Sequence, residues 1–335
     1  MADRDFHPEQ PHSFEPLSDC WILTGPTASG KTAIGLELAE RLDAEILSLD
    51  SMAVYRGMDI GTAKPTADDL RRVPHHLLDL IPPSEEFSLS QYVALAHDKV
   101  REIRTRNKQP LFVGGTPLYL KALLRGLYPG PPADWEFRRQ IEEELQFVDI
   151  GELHRRLQLV DPLSAARLHP NDKRRIIRAL EVFKLTGRPL SHEQTHFDEP
   201  PPDRGLRVVT LSWQRELLHA RIENRVEQMF AEGWVEEVRG LLESCGQLGR
   251  TAAQAVGYRE ILEHLQGDIG LPETVERVKI RTRQFARRQD TWFRSLSECR
   301  RLDPASFRNA GEVADRVMAA CAESPATGPA DEARN

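Results

Sequence analysis

The sequence predicts an α/β protein: a parallel sheet flanked by helices, interrupted by an all-helical insertion. Three observations predict it. Residues 21–32, WILTGPTASGKT, read as an apolar strand, a glycine-bounded loop and the start of a helix. Short apolar runs then alternate with longer segments of helical period, as strands joined by crossover helices do. From Asp134 to Gly187 strand candidates vanish, and they return only at 207–212, RVVTLS.

Taken in order, residues 1–18 are polar and proline-containing and are expected to be a disordered tail. A strand at 20–24 leads into the loop and a helix at 31–42 that carries Ile34, Leu36, Leu38, Ala39 and Leu42. EILSL at 45–49 is a second strand ending at Asp50. A helix over 88–106 precedes a buried strand at 110–113, which ends in Gly114-Gly115-Thr116. Pro117 suits the first turn of another helix. Pro129-Gly-Pro-Pro132 breaks this alternation. We expect a core domain of residues 19–128 and 203–304, a helical insertion at 129–202, and a mostly disordered tail at 305–335. Further helices are expected at 214–231, 233–243 and 271–301. In an open parallel sheet, ligands sit at the carboxyl ends of the strands. Lys31, Asp50 and Thr116 all fall just beyond such ends, so neighbouring strands would bring them together.

Gly25-Pro26-Thr27-Ala28-Ser29-Gly30-Lys31-Thr32 fits the phosphate-loop pattern G-x-x-x-x-G-K-[ST], which makes the fold P-loop NTPase-like. Gly25 and Gly30 let the backbone fold back without a Cβ clash. The amides of residues 27–32 are expected to point inward, and the helix N-terminus adds partial positive charge. Lys31 adds a full charge, and the Thr32 hydroxyl can ligate Mg2+. The site suits a di- or triphosphate.

Composition limits what that site can serve. The 335 residues are 40% hydrophobic and 29% charged, with net charge −7, so any nucleic-acid contact must come from local patches. Cys20, Cys245, Cys299 and Cys321 are far apart, form no C-x-x-C pair and fit a reduced, cytoplasmic protein. No apolar run is long enough to span a membrane, and the N-terminus lacks a signal-peptide core. A monomer is the default expectation.

Several side chains could carry chemistry. Asp50 is either a strand-end cap or Mg2+-shell carboxylate, or a general base beside the phosphate site; spacing leaves both open. The third strand ends in Gly-Gly-Thr rather than the aspartate of a motor ATPase, which favours group transfer. Arg221 and Arg225 share one helix face, either solvated and paired with Glu223 or Glu227, or clamping a phosphate. Lys173, Arg174, Arg175 and Arg178 form one basic cluster. RVKIRTRQFARRQDTWFR at 277–294 forms another, with seven cations, the single acid Asp290, and Phe285, Trp292 and Phe293 interleaved. Such a run is usually a solvated face, yet guanidinium groups beside aromatics suit a nucleic-acid backbone and unstacked bases.

Read together, these segments resemble the tRNA dimethylallyltransferase (tRNA isopentenyltransferase) family, bacterial type. GPTASGKT at 25–32, SLDSMAVYRGMDIGTAKP at 48–65, PHHLLD at 74–79 and VGGTPLYLKALLRGL at 113–127 carry the likeness. So do HPNDKRRIIRALEVF at 169–183, RELLHARIENRVEQM at 215–229, AVGYRE at 255–260 and TRQFARRQDTWFR at 282–294. The loop alone is shared by many kinases; DSMAVYRGMDIGTAKP with GGTPLYLKAL is far more specific. The resemblance spans about residues 20–303.

The resemblance implies transfer of a dimethylallyl group from dimethylallyl diphosphate to the exocyclic N6 amine of the adenosine 3′ of the anticodon, in tRNAs reading codons that begin with U. The loop would then hold the donor's diphosphate, with Arg221 beside it. Lys31, Mg2+ on Thr32 and Arg225 would stabilise the leaving diphosphate. Asp50 would take the amine proton, with Thr116 near the reacting amine. The implied tRNA contacts are Asp50, Ser51, Met52, Ala53, Thr116 and Arg138; the cluster Arg174, Arg175, Ile176, Ile177 and Arg178; and Gln254, Gly257, Tyr258, Arg259, Arg287, Arg288, Trp292 and Arg294. The anticodon stem-loop would be held by the insertion and the 277–294 helix from two sides, with the adenine leaving its stack.

Departures are few. Ala53 replaces a frequent glutamine, and Gln254-Ala255 replaces Arg-Cys. The zinc finger of eukaryotic relatives is not found, which favours a bacterial-type enzyme. The alternative reading is a small-molecule P-loop kinase with a helical lid; an RNA-stimulated NTPase is a further rival.

Overall fold

Strands form here where β-branched and apolar residues run together, and helices where they recur every three to four residues. The computed structural model describes residues 13–193 and 207–322. They divide into two compact units. One comprises residues 17–124 and 207–322 of that range, the other residues 13–16 and 125–193.

The larger unit begins with β1 (Trp21–Thr24), α1 (Lys31–Leu42) and β2 (Ala44–Ser48). Next come α2 (Ala67–Arg72), β3 (His75–His76), α3 (Leu89–Thr105), β4 (Gln109–Gly114) and α4 (Pro117–Arg125), whose last residue falls in the other unit. The smaller unit carries α5 (Trp135–Glu144), α6 (Ile150–Val160), α7 (Pro162–Arg167), α8 (Lys173–Thr186) and α9 (Leu190–Glu193). The chain then supplies β5 (Arg207–Leu211), α10 (Arg215–Ala231), α11 (Trp234–Cys245), α12 (Arg250–Ala253), α13 (Tyr258–Leu265), α14 (Leu271–Arg294), β6 (Arg300–Leu302) and α15 (Ala310–Ala322).

All six strands are parallel, in the order β3-β2-β4-β1-β5-β6. The third long strand therefore lies between the first two. Thr24 pairs with Gly114 on one side and Thr210 on the other, and Ser48 pairs with Val113. The carboxyl ends of four strands thus stop level with one another. The loops leaving them, at Gly25, Leu49, Gly115 and Ser212, start from one end of the sheet.

One apolar cluster covers a face of this sheet. Leu23, Leu111 and Val209 meet Leu36 and Leu38 of α1 and Val313, Ala314 and Val317 of α15. A second cluster joins Val54, Tyr55 and Met58 to Ile222 and Val226 of α10, Trp234 and Val238 of α11, Tyr258 of α13, and Val278 and Ala286 of α14. The smaller unit has its own core of Ile141, Leu153, Leu157, Ala165, Ile176 and Ile177. Its Asp161 is fully buried and accepts from the amides and hydroxyls of both Ser164 and Ser191, which pins α9 to the start of α7.

Three expectations are corrected. Within the expected disordered tail, residues 310–322 form α15, which docks on α1: Val313, Ala314 and Val317 line one helix face at 3%, 0% and 1% exposure. Alanine-rich stretches carry little hydropathy, so the pattern is weak until its partner is known. Residues 13–18 are also ordered, since Phe14 exchanges backbone bonds with Leu127 and the Leu17 amide donates to Leu123. The helix from 271 stops at Arg294, not 301. Ser295 and Ser297 are poor helix formers, and Arg300–Leu302 finds a free sheet edge beside β5. Residues 1–12, 194–206 and 323–335, which fall in the expected tails, the end of the insertion and the first residues of the returning core, lie outside the described residues. Among the described residues, no helix is long and apolar enough to cross a membrane.

Candidate active site

The phosphate loop leaves β1 through Gly25, at φ 149°, where a Cβ would lie 2.9 Å from the Leu211 carbonyl oxygen. Gly30 caps α1 in the left-handed conformation at φ 90°. Both positions require glycine. The loop is also held from outside. Trp213 Nε1 donates to the Ser29 carbonyl at 3.0 Å, and Arg221 Nε donates to the Ala28 carbonyl at 2.8 Å. The Arg221 guanidinium stacks 4.4 Å from the Trp213 ring centre. Not every loop amide points inward: the Ser29 amide donates to the Pro26 carbonyl at 3.3 Å, and the Thr27 amide donates to Gln289 Oε1 at 2.9 Å. Lys31 Nζ donates to the Pro26 carbonyl at 2.8 Å.

The ends of β2 and β4 build the other wall. The Leu49 amide donates to the Val113 carbonyl and the Thr116 amide to the Leu49 carbonyl, at 2.9 and 3.1 Å. A Cβ on Gly114 would lie 2.2 Å from the Leu49 oxygen, so only glycine allows this approach. Thr116 Oγ1 accepts from the Ser51 amide at 3.0 Å. The Met52 amide donates to Asp50 Oδ1 at 2.8 Å, closing a turn that fixes the carboxylate.

Lys31, Asp50 and Arg225 form one electrostatic group. Burial raises the Asp50 carboxyl, opposed by the Met52 amide and by the positive charges of Lys31 and Arg225. Burial, reinforced by the Arg225 charge, lowers the Lys31 amine to about 7, while Asp50 acts the other way. Arg225 is lowered chiefly by burial, and Asp50 raises it. The expected partners Glu223 and Glu227 are taken by Arg283 and Lys279, so the α10 arginines are left facing the loop and Asp50. A lysine, an arginine and a helix N-terminus thus lie about one carboxylate, an arrangement that favours an anion.

The donor set for a metal is thin and oxygen-based. The Thr32 side chain is exposed at the start of α1, and no group of three or more His, Cys, Asp or Glu among the described residues could hold an ion. One hydroxyl fits Mg2+ that takes most of its ligands from diphosphate oxygens and water.

The sequence-predicted nucleic-acid residues divide sharply. Arg287 and Arg288 are exposed and make no ion pair among the described residues; Trp292 is half-buried and Gln254 exposed. The other cations of α14 are neutralised, partly by acids of the helix itself and partly by acids distant in sequence. Arg277 pairs with Glu263 and Glu273, Lys279 with Glu227 and Glu276, Arg281 with Glu260, Arg283 with Glu223, and Arg294 with Asp290. Arg259 pairs with Glu263.

Ile176 and Ile177 are corrected: at 0% and 5% exposure they are core residues of the helical unit. Tyr258 is corrected as a side-chain contact as well, since it is fully buried and its hydroxyl donates to Glu237 Oε1. Gly257 packs on the Trp234 ring, and Ala53 is buried, so both offer backbone only. Met52 is half-buried against the second apolar cluster. Arg138 forms a two-pronged bond to the buried Glu181 at 2.7 and 2.8 Å, and Arg178 joins the same carboxylate. Arg175 pairs with Asp172, and Arg174 is exposed.

Sequence reasoning missed three residues: Gln289, Trp213 and Glu237. Glu237 accepts from the amides of Asp59 and Ile60 at 2.8 and 2.6 Å and so pins the 48–65 segment to α11. Gln289 had a legible signal: it is a polar residue at the spacing that buries Ala286 and Phe293 on the same helix.

Residues 53–296 match the family model described as IPP transferase. The chain belongs to the IPP transferase family. A protein named tRNA dimethylallyltransferase from Rhodopirellula baltica is 54% identical over 319 residues, covering 92% of this chain and 95% of the relative. One of the same name from Geobacter metallireducens is 50% identical over 83% of this chain and 90% of its own. The crystal structure of the full-length tRNA isopentenylpyrophosphate transferase of Bacillus halodurans superimposes with a TM-score of 0.67 at 37% identity, over 92% of this chain and 98% of that one. A eukaryotic dimethylallyltransferase captured acting on tRNA gives 0.72 at 27% identity, over 89% and 78%. In this IPP transferase the matched segment runs from the Asp50 side of the site through α14.

Proposed function

We propose that this chain is a tRNA dimethylallyltransferase. It moves the dimethylallyl group of dimethylallyl diphosphate onto the exocyclic N6 amine of the adenosine 3′ of the anticodon, in tRNAs reading codons that begin with U, and releases diphosphate. The observation that carries the reading is the group of Lys31, Arg225 and Asp50 between the phosphate loop and the Thr116–Ser51 contact, in a chain of this family.

The geometry supports the following roles. As the allylic C–O bond breaks, negative charge collects on the diphosphate, where Lys31, Arg225, Arg221 and the α1 N-terminus would supply positive charge. Mg2+ held through Thr32 would add to that neutralisation. The adenine amine becomes acidic as its C–N bond forms, and Asp50 accepts the proton. Burial raises the Asp50 carboxyl and so makes its carboxylate a stronger base, opposed by the Met52 amide and by the positive charges of Lys31 and Arg225. Exposed Arg287 and Arg288 meet tRNA phosphates, which contribute affinity without reading sequence.

The test is transfer from labelled dimethylallyl diphosphate to unmodified tRNA with Mg2+, followed by nucleoside digestion and mass spectrometry. Prenylated adenosine is the expected product. Labelled phosphate passing from ATP to a small acceptor, with no prenylated nucleoside, would replace this reading with the kinase.

A further inference from the structure

Gln289 lies on α14 with its side chain 4% exposed, and its single amide group is used at both ends. Oε1 accepts from the Thr27 amide of the phosphate loop at 2.9 Å, and Nε2 donates to the Gly115 carbonyl at 2.6 Å. These partners lie 262 and 174 residues away in sequence. One planar group therefore spans the gap between the loop that would grip the donor and the strand end that carries Thr116. The orientation of the amide follows from its partners: the oxygen faces the Thr27 N–H, and the nitrogen the Gly115 carbonyl.

The contact continues on both sides. Thr116, next to Gly115, accepts from the Ser51 amide, and Ser51 adjoins Asp50. A Cβ on Gly115 would lie 2.8 Å from Gln289 Nε2, 3.1 Å from the Gly25 carbonyl oxygen and 3.6 Å from Lys31 Nζ, so all three crowd one point. On the same helix, the exposed Arg288 and Arg287 stand one and two residues away. Helix, loop and strand end thus share one side chain.

We propose that Gln289 is a positioning residue for the transfer step, fixing the spacing between the phosphate loop and the Gly115–Thr116 segment. This rests on the prenyl-transfer reading above. In-line transfer depends on reacting atoms held within about 3–3.5 Å of each other, and misplacement by about 1 Å can lower the rate about a hundredfold. Gln289 touches neither reacting atom, and its effect passes through the positions of Thr27 and Gly115.

The test uses the full chain with Gln289→Met, which keeps side-chain length and loses both bonds, and Gly115→Ala, which pushes on the same contact from the other side. Inorganic diphosphate with Mg2+ counts competent sites by calorimetry, and single-turnover transfer gives the rate per site. Wild-type transfer in the same assay tests the prenyl-transfer reading separately. We expect each variant to bind diphosphate near one per chain and tRNA with unchanged affinity, while the rate per site falls ten- to a hundredfold. The double variant should be no slower than the slower single one. A rate per site equal to wild type, a rate loss that only follows the loss of binding sites, or single-variant losses that multiply in the double variant would each overturn the assignment.

Discussion

Thr116 Oγ1 accepts the backbone N–H of Ser51 at 3.0 Å, joining two strand ends 65 residues apart in sequence. That bond, with the Met52 amide on Asp50 Oδ1, holds the Asp50 carboxylate at the strand edge where the phosphate loop also begins. Asp50→Asn keeps the size and the turn acceptor but cannot take a proton. We expect transfer to fall by about 10²–10⁴, with tRNA affinity retained in a filter-binding assay. Unaltered turnover would remove Asp50 as the base.

Lys31 should change protonation when an anion binds. Its amine is lowered to about 7 in the free protein, so it is largely neutral at pH 8. A bound diphosphate would raise it again. Calorimetry at pH 8 in two buffers of different ionisation enthalpy should show uptake of close to one proton on diphosphate binding, and Lys31→Met should abolish it. The sign for stability follows from the same shift. The unfolded lysine holds its proton up to about 10.4, so between about 7 and that value the unfolded state binds more protons. In that window Lys31 contributes stability that increases with pH. No proton uptake in wild type would show that Lys31 is charged before the anion arrives.

Arg287 and Arg288 are the exposed cations of α14 that no acid neutralises among the described residues. The double charge reversal to Glu should weaken tRNA binding and reduce the slope of log affinity against log salt by about 0.7 to 0.9 per lost phosphate contact. Reversal of Arg277, already paired with Glu263 and Glu273, should leave the slope nearly unchanged. Equal effects at the two places would argue for a diffuse electrostatic surface.

Val317 is 1% exposed where α15 meets α1. Val317→Asp places an unpaired charge in that contact and should destabilise the larger unit by about 3 kcal/mol or more, read as a lower urea midpoint. A midpoint equal to wild type would mean that α15 contributes little to the fold.

What could be read from the chain alone was what local rules decide. The strand–loop–helix at 21–42 follows from glycine sterics and apolar period, and β2, α3, β4 and β5 stand within about two residues of their expected bounds. The resemblance, carried by contiguous motifs, led to the same family that the comparisons show. The tertiary structure decided what depends on partners distant in sequence. It set β4 between β1 and β2, which is why Lys31, Asp50 and Thr116 share an edge. It gave the α14 cations their acids, Glu223, Glu227, Glu260 and Glu263, and so left Arg287 and Arg288 apart. It placed Gln289 between Thr27 and Gly115, and α15 against α1. A hydrogen bond or ion pair leaves no periodic trace along the chain, because its two halves are ordinary polar residues until folding brings them within about 3 Å.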